Sequence, residues 1–150
     1  VNKKPFSRDH YDQDDSAKYQ VVKWLRNSGH EAQVNPERYG IDVLANKDGV
    51  DYKYEVEVKH NWKGETFQYT TLHYSDRKRK FLDTPDNTYF VTLNHERTHA
   101  LLVPGLILHA APTIIKDTIY TRGEKFIEVQ VADCTIILIP ELEDTDVEAD

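Results

Sequence analysis

Apolar residues recur at helical spacing in one early segment and alternate with polar residues through most of the rest. In DDSAKYQVVKWLRNSG, residues 14–29, Ala17, Val21, Trp24, Leu25 and Ser28 fall on one face of a 3.6-residue repeat. Asp14, Asp15 and Ser16 offer capping groups and Gly29 suits a C-terminal stop, so a helix is predicted between them. EAQVN follows as a short strand. YGIDVLANKDGVDYKYEVEVKHNW, residues 39–62, reads as two strands at about 41–46 and 52–59, joined by a turn at KDGV. QYTTLHYSDRKRKFLD predicts a second helix, starting near Thr70 or Thr71. TYFVTLN and HALLV form a predicted hairpin around HERT, and PGLILHAAP a short helix with Pro104 near its first turn. TIIKDTIYT, KFIEVQV and TIILIP are β-rich, with turns at RGE and AD. This order predicts an α/β (α+β) domain with a central mixed sheet, flanking helices and extra C-terminal strands.

Composition narrows the class. A chain of 150 residues is long enough for one domain with a real core. The net charge is −7, but six of the 26 acids sit in ELEDTDVEAD, leaving 20 acids against 19 bases before it. Residues 1–140 are therefore expected to form the domain, and 141–150 a solvated, disordered acidic tail. The nearly neutral body leaves phosphate binding to a local patch such as DRKRK. A single cysteine, Cys134, excludes an internal disulfide and a cysteine-rich zinc site, and fits an intracellular, cytoplasmic setting. No apolar run approaches the roughly 20 residues that span a bilayer, so no membrane partner is expected. The polar N-terminal stretch does not read as a signal peptide.

The first hairpin carries the candidate chemistry. With Asp48 and Gly49 as a two-residue loop, Asp42 lies opposite Glu55 and diagonal to Glu57. With a four-residue loop, Asp42 lies opposite Glu57. Both registers place Asp42, Glu55, Glu57 and Lys59 on one face, because strand side chains alternate. A slip of one residue would send Asp42 to the other face. Val56 and Val58 read as buried on the opposite face. Facing carboxylates repel unless one is protonated or a cation lies between them. Mg²⁺ suits that place, because it takes one or two carboxylates and completes its shell with water and phosphate oxygens. A lysine on the same side can hold the attacking hydroxide or offset charge on phosphorus. Glu-x-Glu-x-Lys on an exposed strand is otherwise a solvated face with charge pairs, and Glu55 reads as a partner of Lys53 or Lys59, or as an extra ligand.

Gly40-Ile41-Asp42, followed at the end of the next strand by Glu57-Val58-Lys59, resembles the PD-(D/E)XK nuclease superfamily. The likeness runs from about Ser16 to Phe81 and includes the preceding helix. It implies a restriction-endonuclease-like core, with Asp42 and Glu57 binding Mg²⁺ (Mn²⁺ substituting) and Lys59 assisting the attacking water. The Val58 carbonyl is the candidate third ligand. Ile41-Asp42 stands in for Pro-Asp. The helix glutamate that many members carry is replaced by Lys18, Tyr19 and Gln20, which leaves a second metal ion without its usual ligand. Gln20 is an auxiliary candidate, and Gln68 resembles the glutamine some members place at the entry to the next helix.

The resemblance implies a Mg²⁺-dependent DNA endonuclease of homing, restriction or phage type, or a structure-specific nuclease resembling Holliday-junction resolvases. DNA would be met by Arg77, Lys78 and Lys80 with Tyr74 on a helical face, and by Lys63 after the Glu-x-Lys strand. Trp62 reads either as core or as a base-stacking group, and Lys3, Lys4 and Arg8 as an N-terminal arm. A chain this small that reads duplex DNA is expected to pair with itself as a homodimer or higher oligomer. The rival reading is a nucleic-acid-binding module that keeps the fold without the chemistry. The histidines do not form a zinc pattern: His95 and His99, four apart in HERTH, fall in an expected loop.

Overall fold

The computed structural model describes residues 8–146. Helix α1 (Arg8–Asn27) buries Ala17, Val21, Val22 and Leu25. It starts earlier than the capping residues predict. No glycine or proline interrupts residues 6–28, so nothing stops the helix at Asp14–Ser16. It ends at Gly29, whose φ of 87° is left-handed, with Gly29 N–H on the Arg26 carbonyl and His30 N–H on that of Leu25.

Strands β1 (Glu31–Val34), β2 (Val43–Lys47) and β3 (Val50–Val58) are consecutive and antiparallel. Lys47 pairs with Val50, so the loop is the two residues Asp48 and Gly49, with φ of 54° and 82°. Both positive values match the hairpin turn whose twist suits the flanking strands. Beyond β3 the chain makes a long crossover before β5 (Thr88–Leu93), which runs parallel to β3. Strand β6 (His99–Pro104) returns antiparallel as the predicted hairpin, followed by α2 (Gly105–Ala110).

The crossover contains the main departure from expectation. Residues 71–81 are not a helix. They form strand β4 (Thr71–Ser75) and a 3₁₀ turn (Asp76–Phe81). Leu72 and Tyr74 alternate inward, and β4 pairs with β8 (Glu124–Gln130), which also pairs with β7 (Thr113–Lys116). Strand pairing with a partner about fifty residues away overrides the local helical pattern.

Strand β9 (Thr135–Leu138) returns to the first sheet, giving the order β1-β2-β3-β5-β6-β9 beside a second sheet, β4-β8-β7. The result is a mixed central sheet between α1 on one face and a smaller sheet on the other. One core lies under α1, with Val43, Tyr54, Val91 and Leu93. The other lies between the sheets, with Trp62, Leu72, Tyr74, Phe90, Leu101 and Ile127. Period-two alternation puts Glu55 and Glu57 on the face away from α1, while Asp42, in the bend just before β2, is within reach of both α1 and β3. The acidic segment is described as far as Asp146, and its first part does not leave the body: Lys23 of α1 reaches the Glu141 carbonyl at 2.8 Å and Asp146 at 2.7 Å. Lys3 and Lys4 lie outside the described residues, as do the last four positions.

Candidate active site

The loop before β2 is built to present Asp42. Asn35 N–H donates to the Asp42 carbonyl at 2.8 Å, and the Asn35 side-chain amide to the Ile41 carbonyl at 2.8 Å. Ile41 is buried and anchors the segment. Val43 faces Tyr54 in the ladder, so one step earlier Asp42 faces Glu55. The Asp42 carboxylate completes that step itself, accepting the Val56 N–H at 2.8 Å through Oδ2. Its other oxygen, Oδ1, lies 3.4 Å from Lys18 Nζ on α1. Lys18 therefore stands where the resemblance leads one to look for a glutamate.

Glu55 is a buried carboxyl, with its side chain only 10% exposed. Burial, and then the Asp42 charge, push its pKa up to about 7, against the partial opposition of Lys78. Glu55 Oε1 is buried with no hydrogen-bond partner, an arrangement that costs free energy unless a proton or a cation meets it. Glu57, two residues on, is open to solvent at 43% exposure. Lys78 bridges the two glutamates, its Nζ 3.2 Å from Glu55 Oε2 and 3.3 Å from Glu57 Oε2. Burial alone would lower the Lys78 pKa, but Glu57 and Glu55 outweigh it and raise the value above the ordinary one.

Among the described residues, no group of three or more His, Cys, Asp or Glu side chains is arranged as a metal cage. Asp42 and Glu55 nevertheless suit Mg²⁺, which needs only one or two carboxylates when water and phosphate complete its shell. The orphaned Glu55 oxygen is the feature such a cation would satisfy.

The other predicted residues are distributed differently. Lys59 follows the last residue of β3; its N–H donates to the Leu93 carbonyl, and its ammonium pairs with none of Asp42, Glu55 and Glu57. Val58 packs into the core under α1, three residues beyond Glu55. Gln20 is not at the acids: it is buried, and its amide donates to the Arg97 and Pro140 carbonyls, both at 3.0 Å, tying α1 to the β5–β6 loop and the end of β9. Gln68 is exposed in a loop that leads to a strand rather than a helix. Tyr74 is no surface contact. It is buried edge-on against Phe90, and its hydroxyl meets Thr92 Oγ1 at 2.6 Å. Arg77 is exposed and bonds Ser75, Lys80 lies over Phe81, and Lys63 is exposed in the loop after β3. Trp62 is core, edge-on to Phe67.

Three residues stand closer to the site than sequence reasoning set them. The two-residue Asp48-Gly49 loop already puts Glu55 opposite Asp42, and Lys18 falls where the resemblance looks for a helix glutamate. Lys78, expected on a DNA-facing helix, had no signal for its place at the acids, because it reaches them from a distant turn.

No family model matches the chain, and no curated protein does. Solved structures do. The Holliday junction resolvase Hjc of the archaeal hyperthermophile Archaeoglobus fulgidus superposes with a TM-score of 0.51 at 14% identity, over 79% of this chain and 84% of that one. A bacterial homing endonuclease superposes with a TM-score of 0.47, also at 14% identity, over 73% of this chain and 78% of that one. The likeness to the resolvase establishes the fold: this is a restriction-endonuclease-like architecture, as the hairpin motif implied.

Proposed function

We propose that this chain is a divalent-metal-dependent nuclease that hydrolyses DNA phosphodiester bonds, with Mg²⁺ as the cation and Mn²⁺ as a substitute. The observation that carries this reading is the Asp42–Glu55 pair, in which Glu55 is buried with its Oε1 unpartnered, in a fold that nucleases use. Asp42 and Glu55 are the proposed ligands. Glu57, at the open side, is held in reserve for the cation's water shell. The cation would supply Lewis acidity to the phosphate and to the attacking water. Val56 N–H fixes the Asp42 carboxylate, so its lone pairs are already aimed before substrate arrives. Lys63, Arg77 and Lys80 are exposed cations available to flanking phosphates.

A site-specific endonuclease and a structure-specific resolvase remain two forms of this proposal, so the test uses plasmid, linear and branched DNA. Cleavage should require Mg²⁺ or Mn²⁺, stop with EDTA and be lost in Asp42→Asn. Cleavage that survives both EDTA and Asp42→Asn would sink the proposal. A homodimer belongs to the same reading; sedimentation velocity on the full chain reads it directly, and a monomer at working concentration would remove it.

The Lys18–Asp42 ion pair favours one second reading: a DNA-binding module in which a lysine occupies the helix position and quenches the metal site. It predicts salt-sensitive DNA binding, no cleavage and no change in affinity with Mg²⁺.

A further inference from the structure

The geometry points to Lys78, rather than a lysine of strand β3, as the ammonium of the reaction centre; this rests on the nuclease reading above. The ladder sets Glu55 opposite Asp42. Two residues on, on the same face, the strand offers Glu57, a second carboxylate, so β3 itself brings no cation to that place. Lys59 lies past the strand end and pairs with none of the three acids. Lys78 arrives from the 3₁₀ turn and sits between both glutamates.

That placement is held from behind. The next residue, Arg79, points the opposite way and is locked by four groups. Its Nε meets Asp76 at 2.8 Å, its Nη1 the Leu108 carbonyl at 3.3 Å, and its Nη2 the Ala111 carbonyl and Thr113 Oγ1, both at 2.9 Å. Leu82 closes the turn in the core. Arg79, clamped to α2 and β7, anchors the turn from behind while Lys78 reaches the acids from its other side. A surface lysine that met a carboxylate by chance would show no such support.

Two consequences follow from one ammonium on two carboxylates. Lys78 holds Glu55 Oε2 and a divalent cation would take the orphaned Oε1, so two positive charges compete for one carboxylate and the cation drives the lysine from it. Once displaced, Lys78 keeps Glu57 and stands at the open side of the pair, where a phosphate would enter. In hydrolysis, the water oxygen bonds to phosphorus and its proton passes to solvent by way of the half-exposed Glu57. The bond from phosphorus to the leaving oxygen breaks, and that oxygen takes a proton from solvent. Lys78 stays protonated throughout and offsets the charge that builds on the non-bridging oxygens.

The test uses Lys78→Met, which keeps the stem, Lys78→Arg, which keeps the charge, and Lys59→Met, all in the full chain and checked for folding by circular dichroism. Mn²⁺ affinity is read by calorimetry, and single-turnover cleavage on plasmid and branched DNA. Lys78→Met should bind Mn²⁺ several-fold more tightly yet cleave about 10²-fold more slowly at saturating DNA, the scale of losing one transition-state donor. Lys78→Arg should recover part of the rate. Tighter metal with slower chemistry is a combination that loss of packing does not produce. Lys78→Met cleaving like the wild type, while Asp42→Asn does not cleave, would overturn the assignment and leave the nuclease reading standing. Lys59→Met losing all cleavage while Lys78→Met keeps it would move the role to Lys59. A wild-type chain that cleaves none of the substrates with either metal would overturn both.

Discussion

Asn35 holds Asp42 with its backbone and the preceding carbonyl with its side chain, two bonds of 2.8 Å that set the approach to β2. A third bond, from Glu37 N–H to Asn35 Oδ1 at 3.0 Å, closes the loop. Gly40 belongs to the same device, since a Cβ there would come within 2.7 Å of the Asn35 amide nitrogen.

Asn35→Ala should therefore separate stability from activity. Losing the side-chain bonds costs about 1 kcal/mol, which at this chain length lowers Tm by about 2–4 °C. Cleavage should fall further, by about 10-fold or more, because small misplacements of a reacting group are expensive. Paired melting curves and cleavage rates check this. A rate loss no larger than the stability loss implies would show that Asp42 does not depend on the loop.

Gly105→Ala should destabilise the fold without touching the acids. A Cβ at Gly105 would collide with the carbonyls of Pro85 and Thr88, both backbone atoms with little freedom to move. Thr88 begins β5 and pairs with Lys53 of β3. The expected cost is about 1–3 kcal/mol, typical of overpacking, read as a lowered denaturant midpoint. An unchanged midpoint would mean that α2 is free to shift.

Tyr74→Phe distinguishes a core role from a DNA contact. Tyr74 and Thr92 are both buried and bond at 2.6 Å, so removing the hydroxyl strands Thr92 at a cost of about 1–2 kcal/mol. Thermal stability should fall, while DNA affinity and its salt slope stay unchanged. A weakened affinity with an unchanged melt would return Tyr74 to the binding surface.

How much of this was readable follows from which residues speak for themselves. Ala17, Val21 and Leu25 mark α1 by spacing alone, and Asp48-Gly49 names its own turn. With that turn, alternation places Asp42, Glu55 and Glu57 on one face and Asp42 opposite Glu55. The resemblance drew attention instead to Glu57-Val58-Lys59, beginning two residues further along the strand. Spacing does not separate the two glutamates and burial does: Glu55 is buried and Glu57 half-exposed, with cover from a second layer that the local pattern does not describe. Residues 71–81 misled for the same reason. Arg77, Lys78 and Lys80 suit an exposed helix as well as a turn, while Leu72 and Tyr74 choose a strand only because β8 is there to receive them. Gln20 looked available because nothing nearby in sequence names the Arg97 and Pro140 carbonyls that hold it.

Glu55→Gln tests the pair at its most sensitive point. Glu55 has an ordinary pKa of 4.5, raised in the fold to about 7 by burial and by Asp42. The folded chain thus holds a proton that the unfolded chain releases between those values, and stability falls as pH rises from about 4.5 to 7. Glutamine carries no charge at any pH, so the variant should escape that loss. At pH 5 the two chains should melt alike; at pH 8 the variant should melt higher by a few degrees, since ~1 kcal/mol is about 2–4 °C at this size. Millimolar Mg²⁺ should reverse the order, raising the wild-type melt through binding to the folded state and leaving the variant unmoved. Calorimetry across pH, with and without Mg²⁺, reads both effects. A variant less stable than wild type at pH 8 would mean that the Lys78 ion pair outweighs burial. Glu55 would then be a structural partner of that lysine, and the metal would have to be sought at Glu57.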